Sequence, residues 1–213
     1  MGGIKRLVDG YLKFRKEAFP EMKDHFHLLA ELQTPETLFV TCSDSRVVPN
    51  LILQAEPGEL FISRHIGNVV PPAGEVAGAV SATIEYAVLV LEVKHIIICG
   101  HSDCGAIKAV MEKTKLKGLP LAERWLQYVE SAWKFRDPSE PVGDDAARLR
   151  ALIRANVIAQ VRNTRTHPEV AAAVAAGRLA VHGWYYDILS GAIDAYDERS
   201  RRFVPLEEMV ERG

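Results

Sequence analysis

The sequence predicts an α/β fold, with a mainly parallel central β-sheet covered by helices and an N-terminal helical arm in front of it. Three observations carry that expectation. Four short β-rich runs alternate with helical stretches, the order that places parallel strands in one sheet beneath helices. A length of 213 residues fits one compact domain. The 48% hydrophobic and 25% charged residues are the balance of a globular chain and exclude disorder or a fibrous repeat.

The elements follow in order. Ile4, Leu7, Val8, Tyr11 and Leu12 recur at i, i+3, i+4, i+7 and i+8, one stripe of an amphipathic helix. Gly10 inside it costs about 1 kcal/mol relative to Ala, so packing must hold this segment. Pro20 suits the start of a second helix that runs to Leu32, before Thr34 and Pro35 stop it. Residues 1–34 therefore read as the arm. Strands are expected at Thr37–Thr41, 59–64, 94–99 and 178–186. Between them, helices are expected at 74–91, 104–113, 119–135, 144–162 and 168–176. The segment 74–91 is apolar almost all round, with Gly, Ala and Ser on one side, and should be buried. The polar stretch 136–143, with two prolines, reads as a loop between helices, and 188–196 around Ser190-Gly191 as a hairpin closing the sheet. One domain spans 1–213.

Charge and composition narrow the function classes. Lys and Arg total 26 and Asp and Glu 28, a formal charge of −2. No basic excess is present to neutralise a phosphate backbone, so no nucleic-acid partner is expected. The apolar run 76–84 is ended by Glu85 and is too short to span a bilayer. Lys5, Arg6 and Asp9 interrupt the start of the chain, which reads as no secretory signal. A cytoplasmic protein without a membrane partner is expected. Three cysteines, Cys42, Cys99 and Cys104, are too few and odd in number for a disulfide framework. Without a secretory signal, thiols serve as ligands, nucleophiles or small buried hydrophobes.

Two segments carry the chemistry, Cys42-Ser43-Asp44-Ser45-Arg46 and Gly100-His101-Ser102-Asp103-Cys104-Gly105. Each follows directly on an expected buried strand, and the carboxyl ends of parallel strands share the edge where ligand sites form. Cys42, Asp44 and Arg46 have the same parity, so an extended chain aims all three one way. His101 and Cys104 lie three apart, one turn of a tight loop entering a helix. Two thiolates and an imidazole suit Zn²⁺, with a fourth position left open because no fourth Cys stands at ligand spacing. The plainer alternative is a set of buried thiols beside a strand-end histidine.

The strings CSDSRVVPN, EPGELFISR, IGNVVPP, IEYAV and CGHSDCGAIKA resemble those of the β-class carbonic anhydrases, over roughly residues 3 to 207. That resemblance implies one Zn²⁺ per chain, bound by Cys42, His101 and Cys104, with Asp44 and Arg46 as a catalytic dyad beside it. The implied reaction is reversible hydration of carbon dioxide to bicarbonate and a proton, by attack of zinc-bound hydroxide. Arg46 would hold Asp44 in a bidentate fork; if that pair breaks, Asp44 becomes a conditional fourth zinc ligand. The family also implies a homodimer or homotetramer, with the arm packing across a partner subunit and helix 74–91 at the dimer contact.

Departures and competitors remain in view. The family's Asn after Arg64 is His65 here, either a tolerated polar swap or a proton acceptor. The Trp and Gly of a second, inhibitory bicarbonate pocket are Phe39 and Thr41, so that regulation is not expected, although Arg64 and Tyr186 match. His25 and His27 read as solvated or packing residues, His95 and His182 as buried, hydrogen-bonded histidines, His167 as a helix-entry residue before Pro168, and Cys99 as an inert core thiol. Trp125 and Trp133 read as a packing pair on one helix face. A hydrolase of this fold acting on carbonyl sulfide or carbon disulfide would use the same ligands. A redox module would instead join Cys42 to Cys104 in a reversible disulfide.

Overall fold

The computed structural model describes residues 2–75, 78–113 and 116–211, and the chain divides into two compact units, Met1–Thr34 and Pro35–Gly213. In the first, helix α1 (Gly2–Lys13) continues through a π-helical stretch (Phe14–Ala18) and the short α2 (Phe19–Glu21) before α3 (Lys23–Glu31). Pro20 sits in the first turn of α2, as its missing N–H allows. Phe14, Phe19 and Phe26 hold the bend through ring contacts of 5.5–6.4 Å between centroids. The stripe expected from Ile4 to Leu12 is present on α1, and every member of it is solvent-exposed.

The second unit is a six-stranded sheet in the order β2-β1-β3-β4-β5-β6. Strands β1 (Thr37–Thr41), β2 (Leu60–Arg64), β3 (His95–His101) and β4 (Ala180–Tyr186) are parallel. Strands β5 (Ile193–Asp197) and β6 (Arg202–Pro205) add antiparallel. The β4–β5 hairpin turns at Asp187–Ala192, where Asp187 accepts hydrogen bonds from the amides of Leu189 and Ser190. Strand β6 and helix α10 (Leu206–Glu211) were not expected, because four residues reading Arg-Phe-Val-Pro show too little alternation to mark a strand.

The connecting helices are α4 (Pro49–Leu53), α5 (Ala79–Leu89), α6 (Gly105–Glu112), α7 (Pro120–Glu130), α8 (Asp145–Thr164) and α9 (Pro168–Ala175). Asp144 caps α8 by accepting the Ala147 N–H at 2.7 Å. One sheet face, carrying Leu38, Val40, Ile96, Ile98 and Val181, packs on Val80, Ile84 and Val88 of α5, Val161 of α8 and Val170 of α9. The opposite face carries a smaller cluster, Phe39, Ile97 and Cys99 with Ile62, Trp184 and Leu53 of α4. Helix α5 departs from the expectation of burial all round. It starts at Ala79, and beside its buried face Tyr86 and Leu89, with the following Val90, stand exposed at 44–60%. An apolar helix on the outside of a single chain has only one face to give to its own core.

Helix α8 lies directly on the two central strands. A side chain at Gly100 would meet Val157 Cγ2 at 2.7 Å, so only glycine lets helix and strand approach this closely. The same helix carries a buried polar row, Asn156, Gln160 and Thr164. Asn156 Nδ2 donates to Gly67 O (3.0 Å), Val70 N donates to Gln160 Oε1 (2.8 Å) and Asn163 Nδ2 donates to Val70 O (2.9 Å). These bonds pin the loop after β2 to the carboxyl edge of the sheet.

Candidate metal centre

Cys42 leaves β1, His101 ends β3, and Cys104 is the N-cap residue of α6, so all three come to one sheet edge. Their ligand atoms lie within 4.8 Å of one another and all three residues are buried. Among the described residues, no other such cluster of His, Cys, Asp or Glu is present. The sulfurs of Cys42 and Cys104 are 4.0 Å apart. Two sulfurs on a tetrahedral zinc with 2.3 Å bonds stand about 3.8 Å apart, so the donor pair is spaced for the ion.

The tautomer of His101 also fits. Its Nδ1 donates to Ser102 O at 2.9 Å, leaving the Nε2 lone pair free, and this fully buried nitrogen has no hydrogen-bond partner among the described residues. Cys42 Sγ accepts the Gly67 N–H at 3.4 Å. Gly67 has φ +69°, a left-handed conformation, and a Cβ there would press on Leu126 at 3.2 Å. The contact between the two thiols holds Cys42 below its ordinary pKa and Cys104 above it, since one proton shared between the sulfurs favours one thiolate. Val69, Leu126 and Tyr185 belong to the same buried apolar cluster as Cys42 and Cys104.

Asp44 and Arg46 stand beside this cluster. Asp44 Oδ2 is 3.8 Å from His101 Nε2. Arg46 donates from Nε to Oδ1 (2.9 Å) and from Nη2 to Oδ2 (2.8 Å), the bidentate fork. The route to it differs from an extended chain of alternating side chains. Residues 44–47 make a tight turn, with Val47 N donating to Asp44 O (3.1 Å) and Arg46 N to Asp44 Oδ1 (3.0 Å). The turn folds the guanidinium back onto the carboxylate, whose pKa falls well below the usual range, first because of the Arg46 hydrogen bonds.

Sequence reasoning missed three contributors. Asp103, inside the second motif, accepts from Arg46 Nη1 (3.2 Å) and from Lys108 Nζ (2.7 Å), at a backbone φ of +53°. Arg64 donates from Nε to Cys42 O (3.2 Å) and from Nη2 to Asp44 O (2.6 Å), clamping the loop that bears both residues. Gly67 is the third. Asp103 was legible as a charged neighbour in the motif; the other two needed the β1–β2 pairing.

The remaining candidates fall as expected or more plainly. His65 packs edge-on against Trp125 at 5.6 Å between centroids, and burial pulls its pKa down to about 4, which makes it a weak proton acceptor near neutral pH. Trp125 packs among core residues and its Nε1 donates to Ile66 O (2.9 Å), whereas Trp133 is 42% exposed beneath Arg136. Cys99 is buried, its thiol pushed up to about 12 by burial. His167 is buried with Nε2 at 3.1 Å from Pro71 O. Thr41 Oγ1 donates to Cys99 O at 2.9 Å within the sheet.

Comparison with known proteins agrees with this geometry. The family described as carbonic anhydrase matches residues 37–193. A carbonic anhydrase of Pseudomonas aeruginosa is 51% identical over 208 residues, which are 98% of this chain and 94% of that protein. The solved structure of the β-carbonic anhydrase CcaA superposes with a TM-score of 0.89 at 38% identity, covering 96% of this chain and 92% of the other. One of two tetrameric β-carbonic anhydrases from Sordaria macrospora gives a TM-score of 0.81 at 29% identity, covering 92% and 97%. With likeness in sequence and in fold running almost end to end, the chain belongs to the β-carbonic anhydrases, enzymes whose general reaction is the hydration of carbon dioxide.

Proposed function

We propose that this chain is a zinc-dependent carbonic anhydrase that interconverts carbon dioxide with bicarbonate and a proton. Cys42, His101 and Cys104 hold the metal, and Asp44 and Arg46 are its catalytic dyad. The observation that carries this reading is the convergence of three soft donor atoms within 4.8 Å, with a fork-held carboxylate 3.8 Å from His101 Nε2. When bound, zinc makes a nucleophilic hydroxide available to carbon dioxide near neutral pH.

The protein's own groups do the rest. Both oxygens of Asp44 are committed to Arg46, so the carboxylate stays ionised and turned from the sulfurs. Oδ2 keeps lone-pair capacity to accept an O–H from a reactant beside His101 Nε2, which fixes the direction of attack. The buried apolar cluster that contains both cysteines suits an uncharged substrate at the centre. If Arg46 releases Asp44, the carboxylate is near enough to become a fourth ligand and close the site. That residue is therefore a switch as well as an orienter.

The arm Met1–Thr34 and the apolar outer face of α5 serve assembly into a homodimer or homotetramer. Support comes from the exposure of Tyr86, Leu89 and the α1 stripe, and from the tetrameric relatives of Sordaria macrospora. We place the chain in the cytoplasm, where two ligating thiols stay reduced; among the described residues no helix is long and apolar enough to cross a membrane.

Stopped-flow hydration of carbon dioxide with the wild type and Cys42→Ser tests the reading. Loss of both bound zinc and rate in the variant is expected, and equal rates for the two proteins would overturn it.

A further inference from the structure

We propose a second metal site, formed by His95 and His182, that takes a divalent borderline ion of the nickel, copper or zinc class. His95 opens β3 and His182 lies on β4, one register step away on the same sheet face, since Ile97 is the partner of His182. The site is at the amino ends of the parallel strands. His95 and His101 stand at opposite ends of β3, six residue steps or about 20 Å apart at 3.3 Å per step, so the pair is independent of the catalytic centre.

The geometry is that of a chelating pair. His95 Nδ1 and His182 Nε2 are 3.2 Å apart, with ring centroids at 5.3 Å and planes inclined by 50°. Two imidazole nitrogens at metal distances of 2.0–2.1 Å, set 3.2 Å apart, subtend about 100–106° at the ion. That angle lies between the square-planar and tetrahedral values, and imidazole is the ligand zinc, copper and nickel share. Both residues sit on central hydrogen-bonded strands, so the bite is set by the sheet and not by a loop. As an ion enters, the histidine that donates the shared hydrogen bond moves its proton to its outer ring nitrogen. No net proton is released.

The surroundings tolerate a dication. Glu36 lies close enough to His95, and both Arg165 and Glu198 to His182, to interact electrostatically. The carboxylates are paired in turn with Lys94 and Arg165, so the neighbourhood is near neutral before the ion arrives. His182 is half-buried, and burial keeps it below its ordinary pKa, in the neutral form a metal requires.

The test uses the full-length, zinc-loaded enzyme and Ni²⁺ as the probe, followed by calorimetric titration with zinc release measured in parallel. The wild type is expected to bind one Ni²⁺ per chain with its catalytic zinc retained and its melting temperature raised. His95→Gln and His182→Gln are each expected to weaken Ni²⁺ at least tenfold and to cancel the melting shift. Their wild-type hydration rate serves as the check on folding. His25→Gln/His27→Gln, on the exposed α3, is expected to bind as the wild type does. The proposal fails if the wild type binds no Ni²⁺, if Ni²⁺ enters only as zinc leaves, or if affinity survives in His95→Gln/His182→Gln. Loss of affinity in the α3 variant alone would equally defeat it.

Discussion

Asp44 receives three hydrogen bonds from Arg46, two on Oδ1 from the backbone amide and Nε and one on Oδ2 from Nη2. A carboxylate held this way cannot swing toward the metal ligands without giving up two charge-assisted bonds at once. Arg46→Ala is therefore expected to lower the hydration rate about 10- to 100-fold, the range for a group that orients a residue at a metal site. Arg46→Lys keeps the charge but not the fork, and is expected to recover only part of the rate. Asp103 steadies the outer edge of the guanidinium through Nη1 and is itself held by Lys108. Since that pair is solvent-exposed, Asp103→Asn should cost less than tenfold, and the loss should shrink as salt is added. A larger loss for Asp103→Asn than for Arg46→Ala would invert this hierarchy.

The charge of the proposed ligand set sets the expected working pH. With zinc held there, two thiolates and a neutral imidazole would cancel its 2+, whereas three imidazoles leave it whole, so its water would ionise above the ~7 of a three-histidine site. Arg46 and the amino end of α6 at Cys104 pull the value partly back. Hydration activity is expected to climb between pH 7 and 9. Asp44 cannot supply that slope, because its carboxyl is held far below neutrality and stays ionised across the whole window. A flat rate from pH 7 to 9 would contradict the ligand set.

The strand-end motifs made the clustering of Cys42, His101 and Cys104 legible, because the chemistry of Cys and His and the edge geometry of a parallel sheet both act at the level of residue type. Strands β1 to β4 were legible for a similar reason, as short apolar runs between helical periods. What stayed hidden depends on contacts across the chain. Arg64 clamps the Cys42 loop only because β2 pairs with β1 and brings Arg64 beside Thr41. The outer face of α5, expected to be buried, is exposed in the single chain, since hydropathy reports that a face avoids water and not which chain covers it. Asn156 and Gln160 carry no local mark of burial in the sequence; the loop after β2 that they bind covers them.

His65 gives a stability prediction with a definite sign. Burial lowers its pKa to about 4, below the ordinary histidine value, and both ring nitrogens lack a partner among the described residues. Between about pH 4 and 6.5 the unfolded chain therefore binds more protons than the folded one, and stability falls as pH falls through that interval. The full effect is on the order of 3 kcal/mol. His65→Asn is expected to lose less stability than the wild type between pH 7 and 5, read from urea midpoints. Turnover of His65→Ala in weak buffer should be unchanged, because a ring this hard to protonate is a poor relay. Parallel pH curves for wild type and His65→Asn would remove the buried-ring account.

Gln160 tests whether the buried polar row on α8 supports the metal centre. Its Oε1 accepts from Val70 N at 2.8 Å and its Nε2 donates to Asn156 Oδ1 at 2.8 Å, all within fully buried surroundings. Gln160→Leu fills a similar volume but strands the Val70 amide and the Asn156 carbonyl. Unsatisfied buried groups cost about 1–3 kcal/mol each, so roughly 2–6 kcal/mol of stability should be lost. The effect should reach the centre as well, because Asn156 holds Gly67 O and the Gly67 amide donates to Cys42 Sγ. Faster zinc release to a chelator is therefore expected along with the lower urea midpoint. A variant that loses stability but releases zinc at the wild-type rate would show that the row braces only the fold, and that Cys42 keeps its geometry without it.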